Sequence, residues 1–340
     1  MEGRKRRNTG RATLADVAKL ANVGTMTVSR ALRHPDMVSD KLREKIEAAV
    51  VELGYIPNYS ASALASASSN VVAVVTSSPA EFGHAEMIAG LQEVLIPAGY
   101  QLMLAESQNQ DLREQKLLET FLSYNLAAVI LFDARHTPAT YELLSNAQLP
   151  IAELGSIVEK PLDINIGIDN AAATFQLTEH LISQGYSRIG LMSAAQKKWV
   201  SQQRLRGWNR ALLKHNLSTT RVISTYEAAS FSVGANLLPD LLLNWPDMDA
   251  LICSSDELAC GAIFECQRRK IRVPKDLAIV GFGNADVSKV CQPPLTTMAV
   301  PHREIGIEAG KALLAKMLDE LWDEQRVFAS TLCIRESCRR

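Results

Sequence analysis

The chain has 340 residues, of which 47% are apolar and 21% charged, and its formal net charge is −1. This composition is typical of folded globular domains and excludes a disordered chain, and the length predicts two or three domains. No secretory segment and no membrane-spanning apolar run is found, so we expect a cytoplasmic protein without membrane association.

Charge is distributed unevenly along the chain. Residues 1–60 carry 11 lysines and arginines against 7 acidic residues, whereas the other 280 residues carry 25 against 30. A small basic head on an acidic body predicts a polyanionic partner for the head alone. The basic run from Arg4 to Arg7 could be an arm close to phosphates, or equally a solvated tail.

The stretch from Thr13 to Leu32 predicts two short helices joined by a tight turn. Thr13 and Asp16 have capping-box spacing, and Asn22 tolerates the left-handed backbone that would end the first helix. The second helix has a polar face whose hydroxyl, guanidinium and thioether groups suit phosphate oxygens and base edges in a major groove. That face consists of Thr25, Met26, Ser29 and Arg30. An ordinary helical hairpin would show the same pattern.

A third helix is predicted from about Asp40 to Leu53, with Ser39 as its cap and Gly54 as its stop. The following residues, 59–69, carry no charge and little bulk. They could be a plain linker, or a segment that becomes helical on binding. In the second case Leu64 has no core to enter and could wedge between base steps in a minor groove.

From residue 71 onward, apolar strand patterns alternate with helix patterns. The predicted strands are 71–75, 101–107, 127–132 and 150–154, and, after Asp169, 188–193, 222–226, 250–254 and 277–282. Two such units predict two doubly wound parallel sheets around a cleft, with ligands bound at the carboxyl ends of the strands. Polar candidates at those ends include Ser77, Arg135, His136, Ser255, Asp256 and Asn284.

Several motifs, in order, give the chain a resemblance to the LacI-type bacterial transcription regulators. They are DVAKLANVGTMTVSRAL (16–32), YIPN (55–58), RLRGW (204–208), SSDELACGA (254–262), VPKDLAIVGF (273–282) and PPLTT (293–297). Within that family, HTPAT (136–140), KPLDINIGIDN (160–170) and FECQR (264–268) are most similar to the gluconate-utilisation repressors.

The resemblance implies a fold class and a domain division. The fold is an all-α helix-turn-helix head followed by an α/β periplasmic-binding-protein-like core of two doubly wound parallel-sheet lobes. The domains are a DNA-binding domain at 1–58, a hinge at 59–69 and an effector-binding and dimerisation core at 70–340. The core would divide into an N-lobe of about 70–169 and 298–328 and a C-lobe of about 170–297 and 329–340.

The resemblance also implies roles for residues in the head. Base edges would be contacted by Thr25, Met26 and Arg30, and phosphates by Thr27, Ser29 and Asn58. Leu64 would be the minor-groove lever of a hinge helix. Asn22 stands where the family usually has glycine, and asparagine can adopt the same backbone.

In the core, Arg204 matches the ligand-contacting arginine of the family, although a surface salt bridge would also account for it. Sugar-binding members have an acidic residue where this chain has Gly283. A cleft with an arginine but without that carboxylate suits a sugar acid. The expected effector-binding residues are Ser77, Arg135, His136, Arg204, Ser255, Asp256 and Asn284, of which His136 could equally be a satisfied loop residue.

We therefore expect a homodimeric repressor that binds double-stranded operator DNA and is controlled by a small carbohydrate effector, a sugar acid such as gluconate. The alternatives are a neutral-sugar regulator of the same family and a transport-type sugar-binding protein without DNA binding. No enzyme motif is present, and the six cysteines lack zinc spacing, so we expect no catalysis, no cofactor and no metal.

Overall fold

The computed structural model describes residues 12–33, 35–56 and 69–339. The chain divides into two compact units, 1–67 and 68–340. Two residues expected to contact DNA, Asn58 and Leu64, lie outside the described residues.

The described residues of the first unit form three α-helices close to their predicted positions. They are α1 (Leu14–Leu20), α2 (Thr25–Arg33) and α3 (Asp40–Leu53). The capping box at the start of α1 is present, since the amide of Thr13 donates to Asp16 Oδ2 (2.9 Å) and the amide of Asp16 donates to Thr13 Oγ1 (3.3 Å). Asn22 has the left-handed backbone expected of the turn, with φ 49°. Ser39 precedes α3 without a side-chain capping bond, whereas Gly54 ends that helix at φ 57° as predicted.

The second unit contains two six-stranded sheets. The first sheet consists of β1 (Val71–Thr76), β2 (Gln101–Glu106), β3 (Ala128–Leu131), β4 (Ile151–Ser156), β5 (Ile164–Ile168) and β11 (Gln325–Val327), in the spatial order β11-β5-β4-β3-β1-β2. The second consists of β6 (Ile189–Ser193), β7 (Val222–Ser224), β8 (Ala250–Cys253), β9 (Ala278–Gly283), β10 (Thr296–Ala299) and β12 (Thr331–Cys333), in the order β12-β10-β9-β8-β6-β7. Apart from the antiparallel pair β10 and β12, the paired strands are parallel.

Helices connect the strands of both sheets. They are α4 (Phe82–Leu95), α5 (Asp111–Leu122), α6 (Pro138–Ser145), α7 (Asn170–Ser183), α8 (Trp199–Lys214), α9 (Phe231–Asn244), α10 (Asp256–Arg268), α11 (Val287–Val290) and α12 (His302–Met317). We call the part built on the first sheet the N-lobe and the part built on the second the C-lobe. This arrangement confirms the expected fold class.

Strand β5 was not predicted, because the sequence analysis assigned no strand between residues 154 and 169. Asn165 interrupts the apolar run INIGI and obscures the pattern. The strand is nevertheless buried, because the Asn165 side-chain amide donates to the carbonyl oxygens of Glu153 (3.0 Å) and Ser156 (2.9 Å). A satisfied amide can be buried where an unsatisfied one would be costly.

Gly207 allows the backbones of α7 and α8 to approach closely. A Cβ atom at this position would lie 2.1 Å from the carbonyl oxygen of Ala171. We expect Gly207→Ala to lower the free energy of unfolding by about 2 kcal/mol, because a forced helix shift outweighs the better helix propensity of alanine. Denaturant unfolding measures this loss, and the exposed neighbour Arg206, changed to alanine, is the control. Equal stability of the two variants would contradict the close-packing argument.

Candidate functional site

The exposed face of α2 carries all five residues expected to contact DNA from this helix. Thr25, Met26 and Arg30 are exposed, Met26 by 76%, and Thr27 and Ser29 are partly exposed. Val28, on the opposite face, is buried in the small core of the head. The helix therefore presents hydroxyl, thioether and guanidinium groups together, while its apolar side holds the three-helix unit together. These are the groups that contact phosphates and base edges.

In the second unit a cleft opens between the N-lobe and the C-lobe at the carboxyl ends of their strands. The N-lobe contributes residues that follow or end β1, β3 and β4, namely Ser77, Asp133 and Ser156. The C-lobe contributes residues that follow or end β6, β8 and β9, namely Ala194, Ser254, Ser255 and Gly283. This is where the sequence predicted ligands to bind in such sheets.

Arg204 lies in this cleft on α8. Its Nε donates to Asn170 Oδ1 (3.0 Å), its Nη1 donates to the carbonyl oxygen of Ser254, and its guanidinium lies 3.8 Å from the centre of the Phe282 ring. Burial lowers the pKa of Arg204 to about 10, so the group remains charged at neutral pH. No carboxylate in the described part of the chain lies within ion-pair distance of it. The cleft thus holds a positive charge supported by neutral acceptors and an aromatic face.

A second cation in the cleft is paired. Lys198 precedes α8 in the C-lobe, and its Nζ lies 2.7 Å from Oδ2 of Asp133, which follows β3 in the N-lobe. Burial favours the neutral amine, but the Asp133 carboxylate outweighs this effect and raises the pKa of Lys198. The sequence analysis did not identify Lys198 or Asp133 as effector-binding residues. Their pairing depends on the closure of the two lobes, which sequence spacing does not reveal.

Two histidines also line the cleft and were missed by the sequence analysis. His84 lies on α4, and His302 begins α12 directly after the crossing from β10. Burial, together with the nearby charges of Arg204 and His84, lowers the pKa of His302 to about 3, so its imidazole is neutral and can hydrogen-bond to uncharged groups. Strand β10 was not predicted, so the sequence gave no reason to place His302 at a strand end.

Three of the seven expected effector-binding residues line the cleft, and four do not. Ser77, Arg204 and Ser255 are in the lining. Ser255 also caps α10, because its Oγ accepts a hydrogen bond from the amide of Leu258 (3.3 Å). Asp256, the next residue, is the first residue inside the helix.

Asp256 and Asn284 fix the loop after β9 instead of lining the cleft. Asp256 is fully buried and accepts hydrogen bonds from Thr297 Oγ1 and from the amide of Ala285, each at 2.6 Å. Burial raises the pKa of this carboxyl to about 6, and the two hydrogen bonds partly oppose that rise. Asn284 accepts a hydrogen bond from Arg335 (2.6 Å). Both side chains are therefore occupied by protein partners.

Arg135 and His136 also lie outside the cleft lining. The exposed guanidinium of Arg135 lies 5.2 Å from the centre of the Trp199 ring. The His136 side chain is fully buried, with Nδ1 2.7 Å from Glu114 and Nε2 3.6 Å from Glu153. Burial alone would lower the pKa of His136, but these two carboxylates outweigh it and raise the pKa to about 9. His136 is therefore held inside the N-lobe by two carboxylates, with a hydrogen bond at Nδ1 and an ion pair without a hydrogen bond at Nε2.

This buried ion cluster makes a pH-dependent contribution to stability. Because the folded pKa of His136 is above its ordinary value of 6.5, the stabilisation is complete below pH 6.5 and is lost as the pH rises through about 9. We expect His136→Asn to lower the free energy of unfolding by about 3 kcal/mol at pH 6, from the size of the shift. Denaturant unfolding at pH 6 and pH 9.5 measures the effect. A loss of the same size at both pH values would contradict a charged His136.

No helix among residues 12–33, 35–56 and 69–339 is long and apolar enough to cross a membrane. The same residues contain no group of three or more histidine, cysteine, aspartate or glutamate side chains arranged to hold a metal ion.

Comparison with known proteins gives matches to both units. Residues 13–58 match the bacterial regulatory proteins of the lacI family, and residues 178–338 match a periplasmic binding protein-like domain. The chain is 37% identical over 311 residues to the HTH-type transcriptional regulator GntR of Escherichia coli K12, an alignment covering 91% of this chain and 93% of the relative.

Solved structures give the same result. A LacI family transcriptional regulator from Silicibacter pomeroyi has a TM-score of 0.89 at 28% identity, covering 97% of this chain and 100% of that chain. The transcription regulator GntR from Chromobacterium violaceum has a TM-score of 0.75 at 31% identity, covering 79% of this chain and 99% of that chain. The similarity therefore extends over the head and the core.

Proposed function

The chain belongs to the lacI family of bacterial regulatory proteins, and from this premise we propose that it is a transcriptional repressor controlled by a sugar acid such as gluconate. Membership of the family makes it a DNA-binding transcriptional regulator with an effector-binding domain, and not an enzyme. The match of residues 13–58 to the family argues against a transport-type binding protein without DNA binding.

The observation that carries the sugar-acid proposal is the charge of Arg204. Its contacts are the Asn170 side chain, the Ser254 carbonyl and the Phe282 ring, and the carboxylates of Glu81, Asp256 and Glu257 act on it only from beyond ion-pair distance, so a ligand carboxylate can pair with it directly. A carboxylate on the ligand can accept hydrogen bonds from a guanidinium in a bidentate arrangement. Removing both partners from water strengthens the attraction, because the effective dielectric constant in the cleft is lower than in bulk water.

Other features support an anionic effector. The first turn of α8 lines the cleft through Lys198, Val200 and Ser201, and the start of a helix carries partial positive charge. Gly283 stands where sugar-binding members carry an acidic side chain. The resemblance of HTPAT, KPLDINIGIDN and FECQR to the gluconate-utilisation repressors, with the relatives named GntR, suggests gluconate within this class.

We propose that Ser77, Ser255 and the neutral imidazole of His302 form hydrogen bonds with the hydroxyl groups of the effector. All three line the cleft, and none carries a charge that would repel a carboxylate. The side chains of Arg135, His136, Asp256 and Asn284 are not part of the proposed effector site. All four lie outside the cleft lining and contact other protein groups.

For DNA, we propose that Thr25, Met26 and Arg30 contact base edges and that Thr27, Ser29 and Asn58 contact phosphates. Residues 59–69 would form a hinge between the head and the core, with Leu64 wedged in the minor groove. Bound effector would change the closure of the lobes and disfavour the helical hinge. A coupling of about 3 kcal/mol is sufficient for a hundredfold change in operator affinity.

We also propose a homodimer, because two copies present two recognition helices to the half-sites of a pseudo-palindromic operator. The core exposes apolar side chains that a second copy could cover. They include Met103 and Leu104 on the edge strand β2, and Phe231 and Phe264, whose ring centres lie 6.2 Å apart on α9 and α10.

The effector proposal is tested by a thermal-shift comparison of D-gluconate with D-glucitol, which replaces the carboxylate by a neutral CH₂OH group. Gluconate at a hundredfold excess over its Kd should stabilise the full chain by about 2.7 kcal/mol, whereas glucitol should not. A gel shift on DNA upstream of the gene, with and without gluconate, tests the repressor. Stabilisation by neutral sugars alone would favour the neutral-sugar alternative, and no DNA binding under either condition would contradict a repressor.

A further inference from the structure

One ion pair joins the two lobes across the cleft. Asp133 belongs to the N-lobe and Lys198 to the C-lobe, and their Oδ2 and Nζ atoms lie 2.7 Å apart. Both side chains are largely shielded from water, with 11% and 13% of their surface exposed, and both line the cleft. The pair is therefore buried, and it exists only while the lobes are close together.

The local structure holds Asp133 in position for this contact. Its Oδ1 accepts a hydrogen bond from the amide of Ala134 (2.9 Å), which leaves Oδ2 for Lys198. Next to it, the Arg135 guanidinium lies over the Trp199 ring, so two consecutive residues of Lys198–Trp199 contact the same N-lobe loop. The start of α8 is thus attached to the N-lobe by an ion pair and by a cation–π contact.

In this pair the Asp133 carboxylate neutralises the positive charge of Lys198, which could otherwise attract an anionic ligand. Of the two cations that line the cleft, Arg204 contacts neutral acceptors, whereas Lys198 is neutralised by Asp133. Glu114 and Asp111 also act on Lys198, but at longer range than Asp133. A ligand carboxylate can reach the full charge of Lys198 only where it replaces that of Asp133.

We propose that Asp133 is an internal counter-anion: it joins the lobes by pairing with Lys198, and the single carboxylate of an acidic effector, bound between Arg204 and Lys198, displaces it. The competition with an effector rests on the proposed function, whereas the closure of the lobes by the pair does not. Neutral sugars lack the charge needed to replace Asp133, so the pair makes the cleft selective for acids.

This role predicts that removing the Asp133 carboxylate strengthens the binding of an acidic ligand. A carboxylate in a sugar-binding cleft ordinarily accepts hydrogen bonds from ligand hydroxyls, so its removal weakens binding. If Asp133 competes with the ligand, Asp133→Asn removes the competitor and should tighten D-gluconate binding at least tenfold. Lys198→Met removes the contested cation and should weaken gluconate binding by a similar factor or more.

Titration calorimetry on the full chain measures both effects, with D-glucitol as the neutral probe. Asp276→Asn is the matched control, because it removes the carboxylate of an ion pair with Arg272 that is exposed and lies within one lobe. We expect the control to bind gluconate like the wild type. Weaker or unchanged gluconate binding by Asp133→Asn would overturn the competition.

A second measurement needs no ligand. Trp199 lies at the contact between the lobes, so opening should expose it to acrylamide, and Trp199→Phe versions of each protein isolate its fluorescence. We expect Asp133→Asn to increase the quenching of Trp199 at least twofold in the absence of any sugar. The charge-reversed variant Asp133→Lys/Lys198→Asp should restore the wild-type value because it restores the ion pair.

The two measurements separate the proposals. Failure of the wild type to bind gluconate would refute the proposed effector, while the quenching of Trp199 would still decide whether the pair closes the lobes. Unchanged quenching in Asp133→Asn, or failure of the charge-reversed variant to restore it, would overturn the closure.

Discussion

Arg204→Ala is expected to abolish the response to the sugar acid while operator binding is retained. The substitution removes the guanidinium that would hold the effector carboxylate and leaves Asn170 Oδ1 and the Ser254 carbonyl without their donor. Truncation of one partner of a buried charge pair costs about 4 kcal/mol, which corresponds to roughly a thousandfold loss of affinity. Gluconate should therefore no longer release the variant from DNA.

The measurement is a gel shift across a gluconate titration, with calorimetry on the same proteins. Arg204→Lys is the matched control, because it keeps the charge and loses the planar bidentate geometry. We expect Arg204→Lys to retain a weakened response, between those of the wild type and the alanine variant. A normal gluconate response in Arg204→Ala would show that this arginine does not hold the effector, and the sugar-acid proposal would then lose its main support.

Local rules predicted the head and most of the core correctly, because each element there is encoded by nearby residues. The Thr13 capping box, the turn at Asn22 and the stop at Gly54 all depend on residues at most four positions apart. The pattern failed at β5, where a polar residue, Asn165, is buried in the sheet. Its hydrogen bonds reach strand β4, and a contact between strands is not visible in the local apolar pattern.

The cleft was less predictable for the same reason. Strand ends could be located from the sequence and nominated Ser77 and Ser255, whereas Arg204, on a helix, was nominated by the family resemblance; all three line the cleft. Whether a polar side chain at a strand end faces the cleft or the protein depends on partners far away in the sequence. Asp256 is bound by Thr297, and His136 is bound by Glu114.

Arg30→Ala is expected to reduce specific operator affinity about a thousandfold. The exposed position of Arg30 on α2 suits a bidentate contact with a guanine, and one such contact discriminates by about 2 kcal/mol. In a homodimer the contact is lost in both half-sites, so the expected cost is about 4 kcal/mol. Gel shifts with operator and with unrelated DNA at one fixed salt concentration measure specific and nonspecific affinity.

Arg43→Ala is the matched control for this loss of charge. Arg43 lies on α3 of the same head, where its guanidinium is paired with Asp40 at 2.9 Å, so it is not directed to a base. We expect its removal to change operator affinity little. The comparison separates two roles of Arg30, because loss of a base contact lowers specific affinity alone, whereas loss of a phosphate contact lowers specific and nonspecific affinity together. An equal decrease on operator and unrelated DNA would reassign Arg30 to the phosphates and leave Thr25 and Met26 as the base-reading residues of α2.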